Sequence, residues 1–319
     1  MTKKIIVVFP ACLLVFTLLC LRASGQPPNI KGEQRVRTVS IPISIFTKEE
    51  LKTDRIEEFV QADRLIVKED KEEQTILSIR SVTDAPLALA VLIQDDLSSS
   101  FNLQLRDIAK FIRALPRGSR VMVAYVRGGN LQIRQKFTDD LEAAAKSLRI
   151  VLSSSSAAPR NPYDGVVDAL NRFDALPAGR RAVLLVSDGV DISQGSRESF
   201  PTQSVDLDRA ILRAQRRSVA VFCFYSPTSS TEGGDSRLIL VGQGSLDRLS
   251  DQTGGRAFFQ GSIAPISFQP FFKDLGLLLN RQFLLSYLST HMKKGYHRVE
   301  VLSTNPVVKI EHPKGYYFK

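Results

Sequence analysis

The run LALAVLIQDDLSSSF, residues 87–101, limits what this chain can fold into more than any other stretch. Seven apolar residues of strand length lead through Gln94 into two carboxylates, Asp95 and Asp96, then three serines. A helical period begins at Phe101. A strand without polar alternation is buried on both faces, as in a parallel sheet covered by helices. In such sheets ligands bind just beyond the carboxyl ends of the strands. Asp96, Ser98 and Ser100 therefore form an acid–hydroxyl–hydroxyl set where this fold class places its chemistry.

The downstream rhythm agrees, because strands and helices alternate as in an α/β sheet. Strands are predicted over 87–94, 120–127, 181–187, 218–225 and 257–260. Helices are predicted over 102–115, 162–173, 206–217, 245–252 and 267–280, with a short one after Thr138. Gly128, Gly129 and Asn130 turn 120–127 back into a strand over 131–137, so one edge pair is antiparallel. Pro162 opens its helix in the favoured first turn. Outside this core the signals are of another kind. Residues 36–46 alternate polar and apolar, and 64–67 and 74–82 flank an acidic turn, with a short helix possible over 48–62. Too few strands lie there for a stable unit. The strand-like runs 282–289, 297–303 and 307–311 are the natural partners. The expected architecture is a doubly wound, mostly parallel α/β sheet over 85–281, inserted between the 34–84 and 282–319 halves of a small β-sandwich-like domain.

Lys3 and Lys4 precede an apolar stretch over 5–21, followed by Ala23, Ser24 and Gly25. That order is a secretory signal peptide spanning 1–25, and it implies export. Its retention would make it a membrane anchor, since the stretch approaches the lower limit for spanning a bilayer. The formal net charge is +10, and removing the segment takes Lys3, Lys4 and Arg22 but no acid. The remaining basic residues are scattered in doublets such as Arg180–Arg181. Nucleic-acid binding needs them clustered on one face, so no nucleic acid is expected as a partner. Cys12 and Cys20 lie in the signal, which leaves Cys223 alone in VAVFCFY as a small buried hydrophobe.

A second strand of the α/β section also ends in an acid, Asp188. Carboxylates at neighbouring strand ends repel, and a bound cation relieves the repulsion. Carboxylate and hydroxyl oxygens suit magnesium, manganese or calcium rather than zinc or copper. Magnesium keeps several waters and takes few direct protein ligands. Asp96, Ser98, Ser100 and Asp188 satisfy that requirement. The competing reading gives Ser98 or Ser99 a helix-capping role, which explains the serines but not the second aspartate. Asp191 extends the rim or serves its own loop, and Asp164 and Asp168 read as capping and solvation. His291, His297 and His312 show no metal-ligand spacing and read as solvated or structural.

Asp-x-Ser-x-Ser after a buried strand, over 96–100, resembles the metal-ion-dependent adhesion site of von Willebrand factor type A domains. Asp188–Gly189 in VLLVSDGVD resembles that family's other metal aspartate. NPYDGVVDAL, LSDQTGGRAFF and VVKIEHPKGYYF are similar to stretches of the secreted VWFA-related family found mainly in acidobacteria. The resemblance implies a magnesium-type cation whose open position takes a carboxylate from a protein partner. It also implies adhesion or protein contact at the cell envelope, without catalysis. The family places a threonine in the loop before the Tyr-Asp helix, and here that loop reads APRNPYD. Asn161 can offer an amide oxygen in its place, whereas Arg160 would set a positive charge beside the cation. Two alternatives stand beside the binding module. One is a magnesium-dependent phosphoryl-transfer enzyme using Asp95–Asp96, which lacks the late-strand lysine such a site needs. The other is a structural envelope protein with a degenerate metal site. Membrane contact is expected only if the signal segment is retained.

Overall fold

The structure is a computed structural model that describes residues 35–47, 65–81, 86–153, 161–176, 180–193, 198, 200–232, 235–261 and 263–318. The signal segment 1–25, the short helix over 48–62 and Arg160 lie outside the described residues. The chain begins its regular structure with strands β1 (Arg37–Thr47), β2 (Leu65–Glu69) and β3 (Glu72–Ser81). The α/β section follows with β4 (Leu87–Gln94), α1 (Leu105–Arg113), β5 (Arg120–Arg127), β6 (Asn130–Thr138) and α2 (Leu141–Lys146). It continues through α3 (Pro162–Arg172), β7 (Arg180–Ser187), α4 (Val205–Arg217), β8 (Ala220–Tyr225), α5 (Ser229–Glu232), α6 (Ser236–Thr253), β9 (Ala257–Phe258) and α7 (Gln269–Asn280). The chain closes with β10 (Gln282–Ser289), β11 (Gly295–Ser303), β12 (Val308–Glu311) and β13 (Gly315–Phe318).

The α/β strands form a six-stranded sheet in the order β6-β5-β4-β7-β8-β9, parallel except for the hairpin strand β6. The doubly wound fold class expected from the sequence is the one observed. Every residue of β4 is buried, and its alternation divides the core. Leu87, Leu89, Val91 and Ile93 face Ile108, Phe111 and Ile112 of α1 and Phe272, Leu275 and Leu278 of α7. Ala88, Ala90 and Leu92 face Tyr163, Val166 and Leu170 of α3, with Leu207 and Ile211 of α4 and Leu246 of α6. Each large side chain so buried contributes about 1.5–3 kcal/mol. The strand order reverses direction at β4 and β7, which makes the gap between their carboxyl ends the switch point of the sheet.

Strands from the two chain ends interleave in one antiparallel sheet, β12-β1-β10-β3-β2-β11-β13. The sandwich expected from the sequence is replaced by a single seven-stranded sheet. Val39, Ile41, Ile43 and Ile45 of β1 share one face with Leu65, Val67, Leu285, Val299 and Val301 to make its core. The neighbouring residue Phe46 turns the other way and joins the core beneath β4. The Arg256 guanidinium reaches the Glu311 carboxylate at 2.6 Å, and the Ser218 hydroxyl donates to the Ser40 carbonyl at 3.0 Å. Residues 36–319 accordingly make one compact unit. No helix among the described residues is long and apolar enough to cross a membrane.

Candidate metal centre

The two strands that end in aspartate, β4 and β7, are direct parallel neighbours, with Ile93 opposite Val186. Gln94 closes β4 and spans the gap. Its amide oxygen accepts from the Asp188 backbone N–H at 3.1 Å and from the Ser187 hydroxyl, while its amide nitrogen donates to Asp96 Oδ1 at 2.9 Å. One buried side chain thereby fixes both carboxylate-bearing turns. Asp188 is fully buried and Asp96 half-buried. Asp188 Oδ1 accepts from the Val190 backbone N–H at 3.1 Å.

The turn after Asp188 has a steric cause. Gly189 lies at φ +73°, and a Cβ there would come within 2.3 Å of the Gly242 carbonyl oxygen on α6. Only glycine allows both the left-handed backbone and that approach. The Tyr163 hydroxyl donates to the Gly189 carbonyl at 2.6 Å and holds the turn from the α3 side.

Asp95 and Asp96 go separate ways. Asp95 pairs with the Arg149 guanidinium at 2.8 Å, and that guanidinium in turn sits over the Tyr125 ring. Asp96 faces the switch point. Ser98 occupies the N-cap position of the 3-10 turn Ser99–Gln104, yet its side chain makes no capping bond. Its hydroxyl instead meets that of Ser100 at 2.6 Å. Capping therefore does not account for the serines.

Asn161 departs from its expected role. Its amide oxygen caps α3, accepting from the backbone N–H groups of Tyr163 at 3.0 Å and Asp164 at 3.2 Å. Both lone pairs are thus engaged in satisfying a helix start, and no acceptor remains to face a cation. Its amide nitrogen donates to Asp164 Oδ2 at 3.0 Å and Asp206 Oδ2 at 2.7 Å. Asn161 does line the same narrow recess as Asp96, between Gly129 and Pro162. Asp191 serves its loop: it accepts from Ser193 and from the Ser204 hydroxyl at 2.7 Å. Asp164 pairs with Arg209 at 2.9 Å, and its carboxyl is held above the usual range by burial and then by the nearby Asp206 charge.

Two residues reach the site that motif reading does not signal. The Thr228 hydroxyl donates to Asp188 Oδ2 at 2.9 Å, and Glu232 Oε1 accepts from the Ser100 hydroxyl at 3.0 Å. Thr228 comes from the loop after β8, and Glu232 ends the short helix α5 that follows it. That loop is tied to the Asp-x-Ser-x-Ser turn by the Ser98 N–H, which donates to the Pro227 carbonyl at 2.9 Å, and by the Leu97–Thr228 bridge. A threonine hydroxyl is therefore present beside the second aspartate, delivered by a different loop from the one expected. The electrostatics fit an anionic rim. Burial pushes the Tyr225 phenol up to about 12, and the Asp188 charge adds to the shift. Burial pushes the Cys223 thiol up to about 12.

No family model matches this chain, and no curated protein does. Several solved structures are similar to it in outline. An aerotolerance-related membrane protein from Bacteroides fragilis is 12% identical, and the match covers 61% of this chain and 98% of that one with a TM-score of 0.43. A von Willebrand factor type A protein from Catenulispora acidiphila is 11% identical over 88% of this chain and 74% of its own, with a TM-score of 0.38. Proximal thread matrix protein 1 of the mussel byssus, solved with a zinc-occupied MIDAS motif, is 10% identical over 68% of this chain and 50% of its own, with a TM-score of 0.40.

Proposed function

We propose that this chain is an exported binding module that docks a protein partner through a divalent cation at the carboxyl ends of β4 and β7. Magnesium is the expected ion, with manganese or calcium as substitutes. Asp96, Ser98, Ser100 and Asp188 are the residues that hold it, directly or through water. Asn161 belongs beside them as the cap that fixes the α3 start. The cation would supply an open position for a carboxylate from the partner, a charge-assisted contact that is strong for its size.

One observation carries this reading. Two hydroxyls free of capping duty stand 2.6 Å apart beside two aspartates locked to a single glutamine. Neighbouring ligands around an octahedral magnesium ion are about 2.9 Å apart, for bonds of about 2.0–2.1 Å. The serine oxygens need part by only a few tenths of an ångström. Glu232 on Ser100 puts a carboxylate of the chain itself near the place a partner's would take. Export rests on the 1–25 segment alone.

A metal-free structural role is the second reading, favoured by the commitment of the Asn161 oxygen to the helix and by the closed Ser100–Glu232 bond. Calorimetric titration with magnesium and manganese separates the two. The binding module takes up one ion that Asp188→Ala no longer holds, whereas the structural role takes up none at millimolar concentration.

A further inference from the structure

A second set of metal-type donors lies far along the chain from the strand-end acids, in the antiparallel sheet. Glu69 ends β2, Asp70 opens the turn to β3, and His297 stands near the start of β11. One ligand atom from each lies within 4.8 Å of the other two. His291, from the loop between β10 and β11, brings its Nδ1 within 3.6 Å of Glu69 Oε1. Nothing in the sequence spacing joins these four. Pairing of β2 with β11 and the curl of the chain after β10 bring them together.

The tautomer of His297 is set by its neighbours. Its Nε2 sits 2.7 Å from the Lys293 carbonyl, which can only accept, so Nε2 carries a hydrogen. Its Nδ1 then faces Asp70 Oδ2 at 2.8 Å and Glu69 Oε1 at 3.5 Å, both acceptors. A neutral ring would aim a lone pair at two carboxylates. Either a second proton or a cation must lie between them.

Three observations separate those choices. Glu69 is fully buried, and its Oε2 makes no hydrogen bond, with the buried Tyr287 hydroxyl close to the carboxylate. Its Oε1 accepts from the Ser289 hydroxyl at 2.9 Å and the Tyr316 hydroxyl at 2.5 Å, so the carboxylate is held rigidly in place. His291 Nδ1 is also buried without a hydrogen-bond partner. A proton on His297 would satisfy its contact with Asp70 but leave the other two atoms orphaned, each at a cost of about 1–3 kcal/mol or more for a charged group. A cation ligated by His291 and His297 through Nδ1 and by Glu69 through Oε2 would satisfy all of them.

The spacing also fits. Tetrahedral zinc bonds of about 2.0–2.1 Å place neighbouring donors about 3.3–3.4 Å apart. Measured to Glu69 Oε1, the separations from His297 Nδ1 and His291 Nδ1 are 3.5 and 3.6 Å, whereas Asp70 Oδ2, 2.8 Å from His297 Nδ1, would have to move outward by about half an ångström to share the ion. The bond from His297 Nε2–H to a backbone carbonyl is the outer-sphere contact that orients a metal-binding imidazole. Glu72, 3.5 Å from His291 Nε2, can serve His291 in the same way. Arg37 approaches Glu69 at 3.7 Å and offsets one of the two carboxylate charges in the cluster, leaving the other for the ion. Access is from the solvent side, where the Asp70 and His291 side chains are 35% and 21% exposed.

We propose that Glu69, Asp70, His291 and His297 form a second metal site, of the histidine–carboxylate type that takes zinc, separate from the oxygen-only site at the switch point. It would pin the β2–β3 turn to the β10–β11 loop and so fasten together the two ends of the chain that build the outer sheet.

The test is titration of chelator-treated full-length protein with Co(II), a spectroscopic stand-in for zinc, read by visible d–d absorption. The wild type and Asp188→Ala are expected to bind one Co(II) with the intense bands of a tetrahedral site, displaced by Zn(II). His291→Gln is expected to weaken binding at least about tenfold, the loss typical even of an outer-sphere partner. Glu69→Gln serves as a second ligand variant, and far-ultraviolet circular dichroism verifies the fold of each. The proposal is overturned if folded wild type shows no tetrahedral Co(II) spectrum, or if the bands survive His291→Gln unchanged. Bands lost in Asp188→Ala but kept in both cluster variants would overturn it as well, by assigning the ion to the switch point.

Discussion

The two sheets bury polar groups in opposite ways. In the parallel sheet the central strands β4 and β8 are apolar along their length, β7 is apolar beyond the arginines at its amino end, and carboxylates gather beyond the carboxyl ends, at Asp95, Asp96 and Asp188. In the antiparallel sheet a carboxylate, Glu69, is fully buried among hydroxyls, imidazoles and a guanidinium. The difference follows from how each sheet is covered. Helices on both faces of β4 and β7 leave the middle of these strands without charge, so carboxylates collect at the open end of the sheet. A sheet of alternating strands has one inward face of its own, which admits polar groups wherever they satisfy one another.

The largest effects should separate the two cores. Leu92→Ala, in the centre of β4, is expected to cost about 2–5 kcal/mol in urea unfolding. Leu285→Ala, equally buried in β10, should cost about the same and shift the same transition, because residues 36–319 form one compact unit. A separate early transition in the Leu285→Ala protein would show that the outer sheet unfolds alone, and would break the comparison at its root.

A second effect belongs to the outer sheet, whose strands and connecting loops hold all three histidines of the chain. His312 is buried, with Nε2 accepting from the Val301 N–H at 3.3 Å and Nδ1 near the Pro313 carbonyl at 3.0 Å. Burial holds its pKa below the ordinary 6.5, so the unfolded chain binds the proton more readily. Stability from this group is then present above pH 6.5 and falls as the pH drops below that value. Asp70 acts in the same direction at lower pH. In the metal-free chain burial would raise its carboxyl, but the contacts with His297 and the Arg298 N–H outweigh burial and hold it below 3.8. Its contribution is lost as the pH falls through that range. Replacing His312 with Gln should flatten the upper part of the acid limb in pH-dependent thermal melts. An unchanged limb would assign it elsewhere.

The smallest effect sharpens the boundary between cap and ligand. Asn161→Ala should cost about 0.5–2 kcal/mol through loss of the α3 cap. It should change magnesium affinity far less than Asp188→Ala does, as read by calorimetry on the same preparations. Equal losses of affinity would restore Asn161 as a ligand.

These contrasts also mark what was legible in the sequence. The strand Leu87–Gln94 matches its observed bounds because an unbroken apolar run has one stable environment. The order of Asp96 before Ser98 and Ser100, and the glycine after Asp188, are local, so they survive reading in one dimension. Helix α6 starts at Ser236, well before the expected 245, because its N-cap Asp235 sits in a glycine- and serine-rich stretch that reads as loop. Strand β13 was hidden for a similar reason: four residues after a proline form a strand only because β11 offers an edge. Thr228, Glu232 and the His–carboxylate cluster depend on contacts between distant segments, and no spacing rule reaches them.

The central claim concerns the switch point, and calorimetric magnesium titration of the full chain tests it most directly, with manganese titrated alongside. The account predicts one bound ion in the wild type and in His291→Gln, lost in Asp188→Ala and weakened in the Ser98→Ala, Ser100→Ala double variant. A folded wild type that binds neither ion at millimolar concentration, or an Asp188→Ala protein that binds magnesium as the wild type does, would contradict it.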